Sequence, residues 1–251
     1  TDLTDALKAG ENGTIITAKT PFYATMGGQK GDTGVIRTES GSFEVEETVK
    51  IAGGRIGHIG KVVSGTIRVK EAAELAVDTA NRKNICRNDS ATHLLQSALR
   101  AVLGDRVEQQ GSYQDGSRTR FDFSHSQAMT QEELACVEAL VNEKIAEDLP
   151  VVTDVMSIEE AKKSGAMALF GEKYGETVRV VSMGDFSREL CGGTHVKHTG
   201  EIAYFKILSE SGVAAGVRRI EALTGANVMA YYQALEENLA KAAAAAKCTP
   251  A

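Results

Sequence analysis

The chain has no run of about 20 apolar residues, the length a membrane-spanning helix needs, so nothing in it predicts a span. It opens at Thr1 with neither a basic segment nor an apolar signal core, which leaves secretion unsupported. Its four cysteines, at positions 86, 136, 191 and 248, form no Cys-x-x-Cys pair and are too few for a disulfide scaffold. Reduced thiols and a cytoplasmic location are the expectation. A basic excess is missing too. The formal charge of −6 argues against general polyanion binding while leaving room for a local basic patch. No internal repeat is visible. The abrupt start and the alanine-rich end read as a piece cut from a longer protein.

What is present divides into three parts. Residues 1–75 are read as a β-rich unit, because Gly13–Lys19, Gly34–Thr38, Phe43–Val49, Arg55–Val63 and Thr66–Val69 are short strand candidates punctuated by glycine. Several short strands with glycine turns predict a small β-barrel. Residues 76–225 mix helix and strand. His93-Leu94-Leu95, Ala98-Leu99 and Val102-Leu103 recur at helical spacing before Gly104, with Asp89 or Ser90 as the expected N-cap. A second helix is expected from Thr130 to about Asp148, a strand from Pro150 to Val155 and a short helix after Ser157. Val178–Met183, Arg118–Phe123, Ile202–Leu208 and Val217–Leu223 read as further strands. Residues 226–251 form the start of a C-terminal helix, short of large apolar groups and expected to project. The fold class is α+β.

Two short segments carry the chemistry. Asp89 and His93 stand four positions apart in the helical run, and Cys191 and His195 four apart in Cys191-Gly192-Gly193-Thr194-His195. Residues i and i+4 share a helix face, and the two glycines let the second segment fold tightly. Cys sulfur, His nitrogen and carboxylate oxygen are all zinc ligands, so the four together can build a zinc centre. The plain alternative is that Asp89 caps, His93 is a core histidine and Cys191 a buried thiol. A third reading makes Cys191 a nucleophile with His195 or His93 as its base. Between the first strands, Gly27, Gly28, Gln29 and Asp32 lie in an irregular segment that suits contact with a sugar or a terminal adenosine, or simply a turn.

Asn88–Leu95, Arg120–His125 and Cys191–Val196, with the segments Phe22–Gly34, Gly165–Gly175 and Ala214–Gly225, resemble in order the editing region of alanyl-tRNA synthetases. The resemblance implies a hydrolase that cleaves tRNA(Ala) wrongly charged with serine or glycine. Alanine differs from either by so little that binding discriminates by only about 1–3 kcal/mol, hence a second test of the attached amino acid. It implies that His93, Cys191 and His195 are zinc ligands and that Asp89 stands where the family has a fourth, histidine. Thr92 matches a position associated with recognising serine, and Gln109 a polar position lining the pocket. The ATP-dependent aminoacylation domain and a tRNA-binding helical domain are then expected before Thr1, and a further domain after Ala251. Thr25-Met26 departs from the acidic and small residues common there. The acceptor end of tRNA(Ala) is the implied partner, with no DNA and no membrane. Arg82, Lys83, Arg87, Arg100, Arg218 and Arg219 are the basic candidates for its phosphates. Two other readings stand beside this one: an editing module like that of threonyl-tRNA synthetase, and a metal-free tRNA-binding module without catalysis.

Overall fold

The computed structural model describes residues 3–167 and 175–249, so most of Gly165–Gly175 lies outside the described residues. The protein forms two compact units, Thr1–Ile85 and Cys86–Ala251.

The first unit is one antiparallel sheet. Its strands are β1 (Ala6–Lys8), β2 (Asn12–Ile15), β3 (Gly34–Thr38), β4 (Gly41–Lys50), β5 (Ile56–Arg68) and β6 (Ala73–Val77), in the order β1-β5-β4-β3-β6 with β2 also on β5. Phe43 and Val45 point inward between the exposed Glu44 and Glu46, and meet Phe22, Ile36, Val62 and Ile67 in the core. The two strands expected at 55–63 and 66–69 are one. Val63 is the extra residue at a register shift in the β4–β5 ladder, and Gly65, at φ +68°, still pairs with Gly41, so the strand bulges and continues. The expected barrel is not closed. Among the described residues, all three residues of β1 pair with β5 and all five of β6 pair with β3, and no ladder joins β1 to β6.

The second unit contains most of α1 (Thr79–Leu103) and two sheets. Helix α1 starts about ten residues earlier than the apolar pattern predicts. Asp78 Oδ1 accepts the Ala80 and Asn81 N–H groups, satisfying the first turn. Asp89 and Ser90 are therefore interior helix residues, not caps. Residues 79–84 carry no apolar period, which hid them. The helix ends at Gly104, at φ +101°.

Strands β7 (Gln109–Gln114) and β8 (Thr119–Ser124) follow, then α2 (Gln131–Ala146), capped reciprocally by Thr130 and Glu133. Next come β9 (Val151–Ser157), α3 (Ile158–Lys163), β10 (Thr177–Met183), β11 (Ser187–Leu190), β12 (Phe205–Ala214), β13 (Val217–Thr224) and α4 (Ala226–Ala245). One sheet runs β12-β13-β8-β7 and the other β11-β10-β9, both antiparallel. Leu94, Leu95, Ala98 and Leu99 of α1 and Val137, Val141 and Ile145 of α2 share one core with Phe121, Phe123, Ile220 and Met183. Helix α4 buries Val228 and Ala243 and leaves Met229, Tyr232, Leu235 and Leu239 exposed. No helix among the described residues is long and apolar enough to cross a membrane.

Candidate metal centre

Helix α1 carries Asp89 and His93 one turn apart, both buried. Strand β11 delivers Cys191, whose N–H donates to the Arg179 carbonyl across the hairpin at 3.1 Å. The tight segment after it is tied in place. Arg179 Nη1 donates to the carbonyls of Gly192 (2.9 Å) and Gly193 (3.1 Å), and the Gly193 N–H points at Cys191 Sγ (3.3 Å). Ser90, also on α1, takes the Val196 N–H at 3.2 Å and lies 3.1 Å from His195 Nδ1. That leaves His195 Nε2 facing Cys191 Sγ at 3.3 Å and Asp89 Oδ2 at 3.5 Å. The His93 and His195 rings meet edge to face, centroids 4.9 Å apart.

His93, Cys191 and His195 form a group whose ligand atoms all lie within 4.8 Å of one another, and this group can hold a metal ion. Asp89 borders it through His195 but is not one of the three. Asp89 Oδ2 is nonetheless buried without a hydrogen bond, as is Glu189 Oε1. His93 Nδ1 lies 3.1 Å from Glu189 Oε2 but off hydrogen-bonding angle, so the two are in charge contact rather than fully bonded. Buried orphans of this kind are what a cation would satisfy.

The charges agree. Burial pushes the Asp89 carboxyl from 3.8 up to about 7; His93 and Arg179 pull against that, and Glu189 adds to it. Burial disfavours a charged His93, but the Glu189 carboxylate and then Cys191 outweigh it and hold its pKa well above 6.5. His195 is held well below 6.5 by burial, then by His93 and Arg179. Protons on Asp89 and His93 thus balance a cluster of anionic donors, a role a divalent ion can take over.

The other expected residues are placed elsewhere. The Thr92 hydroxyl donates to the Asn88 carbonyl (2.8 Å), pairs with Thr119 Oγ1 (2.7 Å) and accepts from Gln114 Nε2 (3.2 Å). Since the Asn88 carbonyl can only accept, Thr92 spends its one proton there, and Thr119 and Gln114 fill its lone pairs. Gln109 opens β7 opposite Phe123, at the other end of the β7–β8 ladder from the Gln114–Thr119 pair. Gly27 and Gly28, both at positive φ (+61° and +88°), make a two-residue turn closed by mutual hydrogen bonds between Met26 and Gln29. Gln29 and Asp32 are buried. Asp32 accepts Arg82 Nε at 2.6 Å and, through its other oxygen, Arg82 Nη2 and the Tyr23 N–H, so both partners hold the loop. Arg218 pairs with Glu210, Arg219 with Asp122 through two 2.7 Å bonds, and Arg100 with Asp105.

Glu189, Ser90 and Arg179 surround the ligand group; none was expected there from the sequence, where Ser90 figured only as a possible helix cap. Glu189 had a signal: it stands two residues before Cys191, on the strand that ends at Leu190 directly before it.

Residues 178–221, which contain Glu189, Cys191 and His195, match the family described as threonyl and alanyl tRNA synthetase second additional domain. Residues 1–81 match the family described as tRNA synthetases class II (A). The class is therefore that of class II aminoacyl-tRNA synthetase domains. Over all 251 residues the chain is 61% identical to alanine–tRNA ligase 1 of Lachnoclostridium phytofermentans, covering 29% of that protein. It is 53% identical over 98% of its length to the alanine–tRNA ligases of Paracidovorax citrulli and Delftia acidovorans, covering 26% and 28% of them. The chain belongs to the alanine–tRNA ligase family and spans between a quarter and a third of the length of these relatives.

Proposed function

We propose that this chain is the editing part of an alanine–tRNA ligase, and that it hydrolyses the ester of tRNA(Ala) mischarged with serine or glycine. The observation that carries the reading is the convergence of His93, Cys191 and His195, drawn from segments about a hundred residues apart, on one buried point. Evolution of a stable core does not require two histidines and a thiol to meet with unsatisfied carboxylate oxygens beside them. The three residues would hold zinc, with Asp89 as the carboxylate nearest to a fourth position. A bound zinc ion supplies Lewis acidity for the ester or an anchor for the α-amino group.

The protein's own groups do the rest. Ser90 fixes the His195 ring through Nδ1, so that Nε2 faces the site. Arg179 holds the Gly192–Gly193 turn, and its guanidinium contributes positive charge felt by Asp89 and His195. Thr92 and its partners Thr119 and Gln114 set the wall between α1 and the sheet. The match to alanine–tRNA ligases along the whole chain favours tRNA(Ala) over the threonine-specific alternative.

The test is deacylation of seryl-tRNA(Ala) and glycyl-tRNA(Ala), with alanyl-tRNA(Ala) as the spared control. Cys191→Ala and His195→Ala should each slow hydrolysis by at least about 10- to 100-fold, since even an outer partner of a metal is worth that much. Unchanged turnover in both variants excludes the metal centre. No turnover by the wild-type chain, with tRNA binding intact, leaves a binding module in place of the enzyme.

A further inference from the structure

Besides Asp89, which borders the ligand cluster through His195, the carboxylate of Glu189 touches it through His93 without belonging to it. It sits on β11, largely buried, opposite Val181 in the β10 ladder, and a bridge from Met167 covers the other edge of the strand at that residue. Its backbone is thus fixed from both sides. Side chains two apart on a strand share a face, so the strand that presents Cys191 to the cluster presents Glu189 to the same side. The carboxylate lands with Oε2 3.1 Å from His93 Nδ1, and Oε1 has no hydrogen bond. No arginine or lysine bridges to it among the described ion pairs; His93 is its only partner there. Burying a carboxylate beside one imidazole is unfavourable as packing, and it needs another account.

We propose that Glu189 is the positioning residue of this centre: it accepts a hydrogen bond from the Nδ1–H of His93, fixes the ring's tautomer and rotation, and so leaves the Nε2 lone pair free for a metal. A metal-ligating histidine gains basicity and orientation when its second nitrogen donates to a carboxylate. His195 has a hydroxyl in the same place, Ser90, so the two histidines are held by partners of different charge. The inference rests on the metal reading given above, and the experiment separates their failures.

The experiment is zinc affinity of the full chain by chelator competition, with the visible spectrum of the cobalt(II)-substituted protein as a second readout. Five forms are compared: wild type, Glu189→Gln, Glu189→Leu, His93→Ala, and Glu189→Leu combined with His93→Ala. Glutamine can still accept from Nδ1, so Glu189→Gln should stay within about threefold of wild type, whereas Glu189→Leu should lose about 10- to 100-fold, the range seen for outer-shell partners. Added to His93→Ala, the same Glu189→Leu change should do nothing further, because the ring it positions is gone. The cobalt spectrum of Glu189→Leu should keep its thiolate band from Cys191 while its ligand-field bands shift. A purely structural glutamate would instead lower the stability of the metal-free protein and leave affinity unchanged. Should Glu189→Leu fail to fold, Glu189→Asp, which withdraws the carboxylate by one methylene, should show the same loss. Wild-type affinity in Glu189→Leu, or an equal loss with and without His93, overturns the positioning role alone. Absence of zinc binding by the wild type overturns both this role and the metal reading.

Discussion

Asp89 is the residue on which the composition of the centre turns. Its carboxyl is driven up to about 7 by burial, against an ordinary value of 3.8. The folded pKa lies above the unfolded one, so between those values the folded chain keeps a proton that the unfolded chain has released. The stability this contributes is fully present below about pH 4 and is lost as pH rises through about 7. In metal-free protein the denaturation midpoint of wild type, measured relative to Asp89→Asn, should therefore fall across that window. A flat difference between the two would show that Asp89 is already ionised. His58 runs in the other direction. Burial lowers its pKa, against the hydrogen bond between its Nδ1 and the Ile15 carbonyl, which raises it. Its contribution is present above pH 6.5 and lost as pH falls, which is why the comparison is made between variants sharing His58. A cation at the centre needs the ionised carboxylate, so binding with Asp89 as a ligand releases a proton and strengthens as pH rises.

At the scale of elements, α1 is two-sided. One side carries the metal group, and another meets β8 and β7 through the buried layer of Asn88, Thr92, Gln114 and Thr119, which Thr224 of β13 joins by donating to Asn88 Oδ1. Thr92→Val keeps the shape and removes the oxygen, leaving the Gln114 amide and Thr119 hydroxyl unpaired. The expected loss is about 1–3 kcal/mol in denaturant unfolding, with Thr92→Ser losing less. Equal stability of the valine variant would mean that the layer re-pairs without it. This same helix shows what the sequence makes legible. Its second half is readable because Leu94, Leu95, Ala98 and Leu99 repeat at the helical period, and α2 is readable because Thr130 and Glu133 spell out a cap. The first half of α1 is not, because Asn81-Arg82-Lys83-Asn84 has no apolar face to find. Strand β7, Gln-Gln-Gly-Ser-Tyr-Gln, is a strand only because β8 supplies its ladder. The four-residue β11 escapes for its length, and with it Glu189. Both halves of the metal motif are visible as spacing, but their meeting depends on a hairpin and a guanidinium that no local pattern encodes.

At the scale of the whole chain, four of the six basic residues that were candidates for phosphate contact, Arg82, Arg100, Arg218 and Arg219, are held in ion pairs. Arg82, Arg218 and Arg219 form ion pairs with Asp32, Glu210 and Asp122, and the total is −6. With the net charge negative and those arginines already paired, the chain by itself should bind tRNA weakly. Its salt dependence should also be shallow: a log–log slope of magnitude about 3 or less, since each neutralised phosphate contributes roughly 0.7 to 0.9. Filter binding at several salt concentrations measures it, and a slope near 8 would reveal a basic surface missed here. The separation of the ligands along the chain has one more effect. An ion bound by His93 on one side and Cys191 and His195 on the other would tie together points about a hundred residues apart, acting as a reversible staple. The unfolded chain would then lose the freedom of a very long loop, which is the circumstance in which a clip raises stability most. Seen this way, a centre proposed to sort amino acids would also set how long the second unit survives between unfolding events, and a chelator would shorten that life before it touched any chemistry.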